Sequence, residues 1–175
     1  MENSLVLLLA SSLSTYISDF LARQKVGGTN LTYSYLNQIP VFGPEYYMKP
    51  GIFNKLHKSL INNINELFNT ATNFPQLTDK IITEPFTWDE GRRFLIRCEL
   101  DATYFHLYDI ARDDVDYIME TFPIVKRKDE QKYGEYRTKR VILEMYDQMA
   151  EAMQSGKTYQ TWLDPPPGDE RVTHK

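Results

Sequence analysis

Apolar residues in this chain recur at three- and four-residue steps in several separate stretches, and that period is the one an α-helix imposes. The clearest case carries Phe53, Leu56, Leu60, Ile64, Leu67 and Phe68 on one side and Asn62, Asn63 and Asn65 on the other. Asparagines are mediocre helix formers, so packing must hold that helix. A second stretch opens with Thr87-Trp88-Asp89-Glu90, the spacing of a capping box, and continues with Phe94, Leu95, Cys98, Ala102 and Phe105 as an inner stripe ending near Tyr108. Asp113 and Asp114 suit the start of a short helix carrying Val115, Ile118 and Met119 inward, which Pro123 terminates. A long helix over residues 134–154 turns Thr138, Val141, Ile142, Met145, Met149 and Ala152 or Met153 inward, with Ser155-Gly156 as its stop.

The N-terminal run Leu5-Val6-Leu7-Leu8-Leu9-Ala10 has the look of a leader peptide, but no Lys or Arg precedes it. Its apolar pattern continues at helical spacing through Leu13, Ile17 and Phe20, and it falls short of the ~20 residues a membrane span needs. The spacing predicts one helix, capped by Asn3 or Ser4, running to Arg23 or Lys25 and stopped by Val26-Gly27-Gly28-Thr29. Residues 31–41 fit a strand or a helical turn equally well, and residues 43–51 read as a surface connection. The expected fold is mainly α, an irregular arrangement of about five helices with long loops and little or no sheet. Its linear organisation would be an N-terminal helical part over 1–74, a linker over 75–86, a C-terminal helical part over 87–163 and an extended tail over 164–175.

A lone cysteine cannot form an intramolecular disulfide, so the expected setting is cytoplasmic, with no membrane partner. The net charge of −4 is unlike that of a free-standing nucleic-acid binder, so any DNA contact must be local. The candidates for phosphate contact are Arg23, Lys25, Lys126, Arg127, Lys128, Arg137 and Arg140, with Lys132 and Lys139 in the same basic stretch. Glu135 and Lys139 have the spacing of a helical ion pair, and ordinary solvated helix faces are the competing account of the whole cluster.

No catalytic or metal site is expected. Asp164-Pro165-Pro166 resembles the tetrapeptide with which amino-methyltransferases grip a flipped base, but Pro167 stands where the stacking ring belongs. No glycine-rich strand-to-helix turn is present to cradle a nucleotide cofactor. Glu130-Gln131-Lys132 matches half of a Mg2+-dependent nuclease site, which needs further carboxylates on neighbouring strands. His57, His106 and His174 lack ligand spacing, His106 reads as a core-edge histidine, and Cys98 reads as a small buried hydrophobe.

Two blocks carry a family likeness. Residues 20–31 with 36–41 (Phe20-Leu21-Ala22-Arg23-Gln24-Lys25-Val26-Gly27-Gly28-Thr29-Asn30-Leu31 and Leu36-Asn37-Gln38-Ile39-Pro40-Val41) resemble the segment after the catalytic domain in methylases of the type II restriction-modification class. The second block begins at Arg92-Arg93-Phe94-Leu95-Ile96-Arg97-Cys98-Glu99-Leu100-Asp101-Ala102, passes through Thr121-Phe122-Pro123-Ile124-Val125-Lys126-Arg127-Lys128 and Arg140, and reaches Leu163-Asp164-Pro165-Pro166-Pro167. It is similar to the C-terminus of the same large bacterial adenine-N6 DNA methyltransferases. The resemblance implies a piece of a protein that transfers a methyl group from S-adenosylmethionine to adenine, some relatives also cutting DNA, with this region associated with target recognition. No cofactor is expected in this chain and no activity from it alone, the methyl donor belonging to the parent protein. The implied partners are double-stranded DNA and the parent's own catalytic methyltransferase domain. The alternatives are a protein-interaction module whose apolar N-terminal helix face docks on a partner without touching DNA, and a nuclease using Glu130 and Lys132.

Overall fold

The computed structural model describes residues 2–28, 30–47, 52–70 and 84–174. It is mainly helical, with nine α-helices among these residues rather than about five, and no strand among them. The helices are α1 (Glu2–Leu13), α2 (Tyr16–Lys25), α3 (Tyr33–Leu36), α4 (Pro44–Tyr47), α5 (Ile52–Phe68), α6 (Glu90–Leu107), α7 (Arg112–Glu120), α8 (Pro123–Tyr133) and α9 (Arg137–Ser155). A 3-10 turn, Glu170–Val172, follows. No single helix among the described residues is long and apolar enough to cross a membrane.

The chain divides into two compact units, each built from alternating segments rather than in linear order. Unit 1 takes residues 1–12, 41–100 and 160–175, and unit 2 takes 13–40 and 101–159. The linker expected over 75–86 lies, as far as residue 83, outside the described residues.

In unit 1, Leu60, Ile64, Phe86, Ile96 and Leu163 are buried. On the side of α5 that carries the asparagines, Asn63 and Asn65 are buried together with Glu66. Hydrogen bonds support the burial of Asn63 and Glu66, since an unpaired polar group is costly inside a protein. Asn63 Nδ2 donates to Glu99 Oε1 at 3.2 Å, and Thr161 Oγ1 donates to Glu99 Oε2 at 2.6 Å. Glu66 takes Arg92 through Nε and, at 3.1 Å, through Nη2, and also accepts the Gly168 amide at 2.9 Å. The segment expected as an extended tail is therefore folded back. Its Leu163 and Pro167 are buried, Thr173 forms an isolated antiparallel bridge with Phe86, and the Thr87 and His174 amides donate to the Val172 and Pro85 carbonyls, each at 2.8 Å. Polar hooks to α5 and α6, invisible in a proline-rich string, hold it there.

The capping box at the start of α6 is also replaced. Asp89 Oδ1 accepts the Arg92 amide at 2.7 Å, so the cap sits two residues later than Thr87, while Glu90 accepts from the Trp88 indole at 2.8 Å. Asp is the stronger capping residue of the two, and its negative charge also suits the positive helix start.

Unit 2 is organised on α9, against which α7 and α8 both pack. Val141, Ile142, Met145 and Met149 on α9 and Val115, Ile118 and Met119 on α7 are buried, as their spacing predicts. The single N-terminal helix expected to reach Lys25 is broken. Thr15, extended at φ −95° and ψ 157°, caps α2 by accepting the Ser18 amide, and Asp101 Oδ1 accepts the Tyr16 amide at 2.7 Å. The Ser-rich sequence ahead of Tyr16 favours that break, because hydroxyl side chains compete for backbone partners and suit helix starts. Residues 33–36 form helical turn α3, which resolves the ambiguous segment.

Pro123 does not merely end α7; it begins α8 from the first helical position, where its missing N–H costs nothing. Gly134 then closes α8 with φ +74°, a left-handed angle that disfavours any residue with a Cβ. The basic stretch of the sequence is thus a helix of its own, and α9 starts at Arg137 rather than 134.

Candidate nucleic-acid interface

Residues 123–140 contain seven Lys or Arg against three acids, in a chain whose net charge is −4. Helix α8 carries four of the cations, Lys126, Arg127, Lys128 and Lys132, and the first turn of α9 carries Arg137, Lys139 and Arg140. The Asp129 carboxylate, which accepts the Thr138 amide at 2.6 Å, fixes α8 to the start of α9, and Phe122, buried ahead of the first turn of α8, packs edge-on against Tyr16 of α2 at 4.8 Å. The Tyr136 hydroxyl donates to the Met119 carbonyl at 2.9 Å and ties the same corner to α7; burial pushes that phenol well above its ordinary range, with Asp129 and Glu120 adding to the effect. Val125, Lys126 and Asp129 are half-buried on the side toward this support. Ile124, Arg127, Lys128 and Gln131, at i, i+3, i+4 and i+7, are all exposed and share the opposite face.

The cations named from sequence are not equivalent. Lys126 Nζ lies 2.8 Å from Glu120 Oε2, and Lys139 Nζ reaches Glu120 Oε1 at 2.5 Å and Asp116 Oδ1 at 3.0 Å. Hydrogen bonds from these two lysines hold the Glu120 carboxyl below its ordinary range. Arg140 sits between Glu135 and Glu144, each at 2.9 Å. Arg23 forms a bidentate pair with Asp19 and stacks over the Phe122 ring at 4.8 Å. Arg137 lies over the Tyr133 ring at 4.7 Å with Lys132 over the same ring at 5.1 Å, and their proximity lowers the Tyr133 phenol, Lys132 first. Arg127, Lys128 and Lys25 are exposed, and among the described residues none of the three has an acidic partner. Arg127 and Lys128 therefore stand out as cations offered to solvent from a fixed support. Ile124 and Gln131 on the same face were not singled out from sequence, although the i, i+3, i+4, i+7 spacing is readable there once α8 is recognised as a helix.

The other candidate chemistries are dispersed. Glu130 and Lys132 are two residues apart on a helix, about 200° around its axis, so their side chains diverge. Among the described residues no group of three His, Cys, Asp or Glu side chains could hold a metal ion. Asp164 is exposed and Pro167 buried, while Cys98 is buried in unit 1. His106 stacks on Tyr146 at 3.8 Å with Nε2 2.9 Å from the Tyr146 carbonyl oxygen, a core-edge position. Burial lowers its imidazole, against smaller opposing effects of that carbonyl and Asp147. The His57 side chain lies outside the described residues.

No family model, characterised protein or solved structure matches this chain.

Proposed function

We propose that the chain is a non-catalytic C-terminal piece of a bacterial restriction-modification DNA adenine-N6 methyltransferase, contributing contacts to double-stranded DNA beside the parent's catalytic domain. The observation that carries this is the pair Arg127 and Lys128, exposed and, among the described residues, without acidic partners, on a braced helix within an otherwise acidic protein. Cations already paired to carboxylates lose part of their attraction for phosphate, whereas unpaired ones retain it in full. The methyl donor belongs in this reading to the parent's catalytic domain. Binding of a duplex of arbitrary sequence, followed by fluorescence anisotropy against salt concentration, tests the reading. The Arg127→Ala/Lys128→Ala variant should lower the slope of log K against log[salt] by about 2, since each lost phosphate contact removes about 0.9. Arg140→Ala, already neutralised by two carboxylates, should change it little. Absence of any salt-dependent binding would sink the proposal.

A second reading, a docking module, draws on α1, whose Val6, Leu9 and Leu13 are exposed at i, i+3 and i+7. It is favoured if DNA binding is absent while Val6→Ser/Leu9→Ser abolishes association with the methyltransferase domain.

A further inference from the structure

The outward face of α8 has a composition that phosphate attraction does not require. Two cations would serve for charge alone, yet they are interleaved with Ile124, 60 % exposed, and with Gln131, an uncharged amide. An exposed isoleucine and a glutamine add nothing to a purely electrostatic contact. All four, however, are groups that distinguish base edges in the major groove. An Arg guanidinium or a Lys ammonium meets guanine O6 and N7, a Gln amide meets adenine N6 and N7, and an aliphatic side chain meets the thymine methyl. We propose that α8 is a base-reading helix that enters the major groove of double-stranded DNA and selects sequence through Ile124, Arg127, Lys128 and Gln131. The proposal rests on the DNA-binding reading above and adds to it the groove, the helix and the residues that set specificity.

The dimensions agree with that assignment. A helix with its side chains is about 10–12 Å across, which fits a major groove about 12 Å wide and not a minor groove about 6 Å wide. Ile124 and Gln131 are separated by about 10 Å along the axis, about three base-pair steps at 3.4 Å each. The helix is presented in advance of binding. Pro123 starts it, Gly134 stops it, Asp129 caps the following helix from its inner side, and Lys126 is held by Glu120, so none of these groups competes for the outer face. Support of this kind reduces the ordering cost of recognition.

The acidic groups nearby are placed so as not to oppose it. Asp129 is turned inward to the Thr138 amide. Glu130 sits about 110° from the centre of the stripe around the helix axis. On α7, Asp116 and Glu120 are engaged by Lys139 and Lys126. Asp113 and Asp114 lie in the first turn of α7, about 10 Å from its α8 end and near the distance over which physiological salt screens a charge.

The test is selection of a duplex pool with a randomised central segment by the full chain, repeated with Gln131→Ala and Arg127→Ala. Wild type should enrich a motif of about three base pairs. Gln131→Ala should lose preference at one position by roughly ten- to a hundredfold while its affinity for the unselected pool stays unchanged. Arg127→Ala should lose preference at a different position and also weaken binding to the unselected pool. Replacing purines of the enriched motif by their 7-deaza forms, which removes the major-groove N7 acceptors, should lower affinity by a similar factor. Salt-dependent binding that enriches no motif, or a motif untouched by both variants and by 7-deaza replacement, overturns base reading and leaves DNA contact standing. Failure to bind the pool at any salt concentration overturns both.

Discussion

Removing the Glu66 carboxylate should be among the most damaging single changes in unit 1. The Glu66 and Arg92 side chains are 5 % and 11 % exposed, and the same carboxylate accepts the Gly168 amide at 2.9 Å. Glu66→Ala strands a guanidinium in a dry site and leaves a partly buried backbone donor unanswered. Breaking one side of a buried ion pair costs about 3–5 kcal/mol, a large share of the 5–15 kcal/mol that holds a typical domain together. With a urea slope of about 2 kcal/mol per molar, the midpoint should fall by about 2 M. Both tryptophans, Trp88 and Trp162, lie in unit 1, so their fluorescence reports its unfolding. Glu66→Ala/Arg92→Ala removes the stranded charge and should be more stable than Glu66→Ala alone. A midpoint shift below about 0.3 M for the single variant, or a double variant no better than it, would refute the assignment of Glu66 as the anchor of residues 160–174.

Two of the three left-handed glycines among the described residues, Gly134 and Gly168, should rank in a defined order by thermal melting. Gly134→Ala, with open space around its Cβ, should cost only the ~1–2 kcal/mol of a left-handed L-residue, whereas Gly168→Ala should cost more because its Cβ would lie 2.9 Å from Asn62 Cγ. Equal losses would remove the steric argument. His106, lowered by burial, binds its proton more readily in the unfolded chain, so its contribution is present above pH ~6.5 and is lost as pH falls below that value. Melting profiles of wild type and His106→Gln between pH 7 and 5 should diverge on that account, wild type declining more steeply; parallel profiles would contradict it.

Periodicity identifies α5, α6, α7 and α9 as helices, and on α7 and α9 their inward residues, because an apolar stripe of several turns has few alternative accommodations; on α6 it misses Ile96 and Tyr104, which are buried while the expected Phe94 and Leu95 are half-buried. What it does not reveal is which polar residues a neighbour will satisfy. Asn63 is drawn inward by Glu99, 36 residues away in sequence, and Glu66 by Arg92 and Gly168, so polar residues outside the apolar stripe are buried. Helix α8 is hard to see for another reason: its apolar residues Ile124 and Val125 are adjacent and give no stripe, and its start depends on reading Pro123 as an opening rather than an end. The cations of the candidate interface are legible by type. Their inequality is not, since Lys139 meets Asp116 and Glu120 only once α7 and α9 have packed.

The alternation of segments between the two units bears on how the polypeptide can emerge from a ribosome. Unit 1 recruits residues 160–175, and the hooks on Glu66 and Glu99 come from Gly168 and Thr161. The Glu66 and Glu99 carboxylates therefore each lack one of their partners until residues 168 and 161, respectively, have been synthesised. Unit 2 draws on nothing beyond residue 159 and can close earlier. A released chain truncated after residue 159 should then protect α9 from protease while α5 remains open to it.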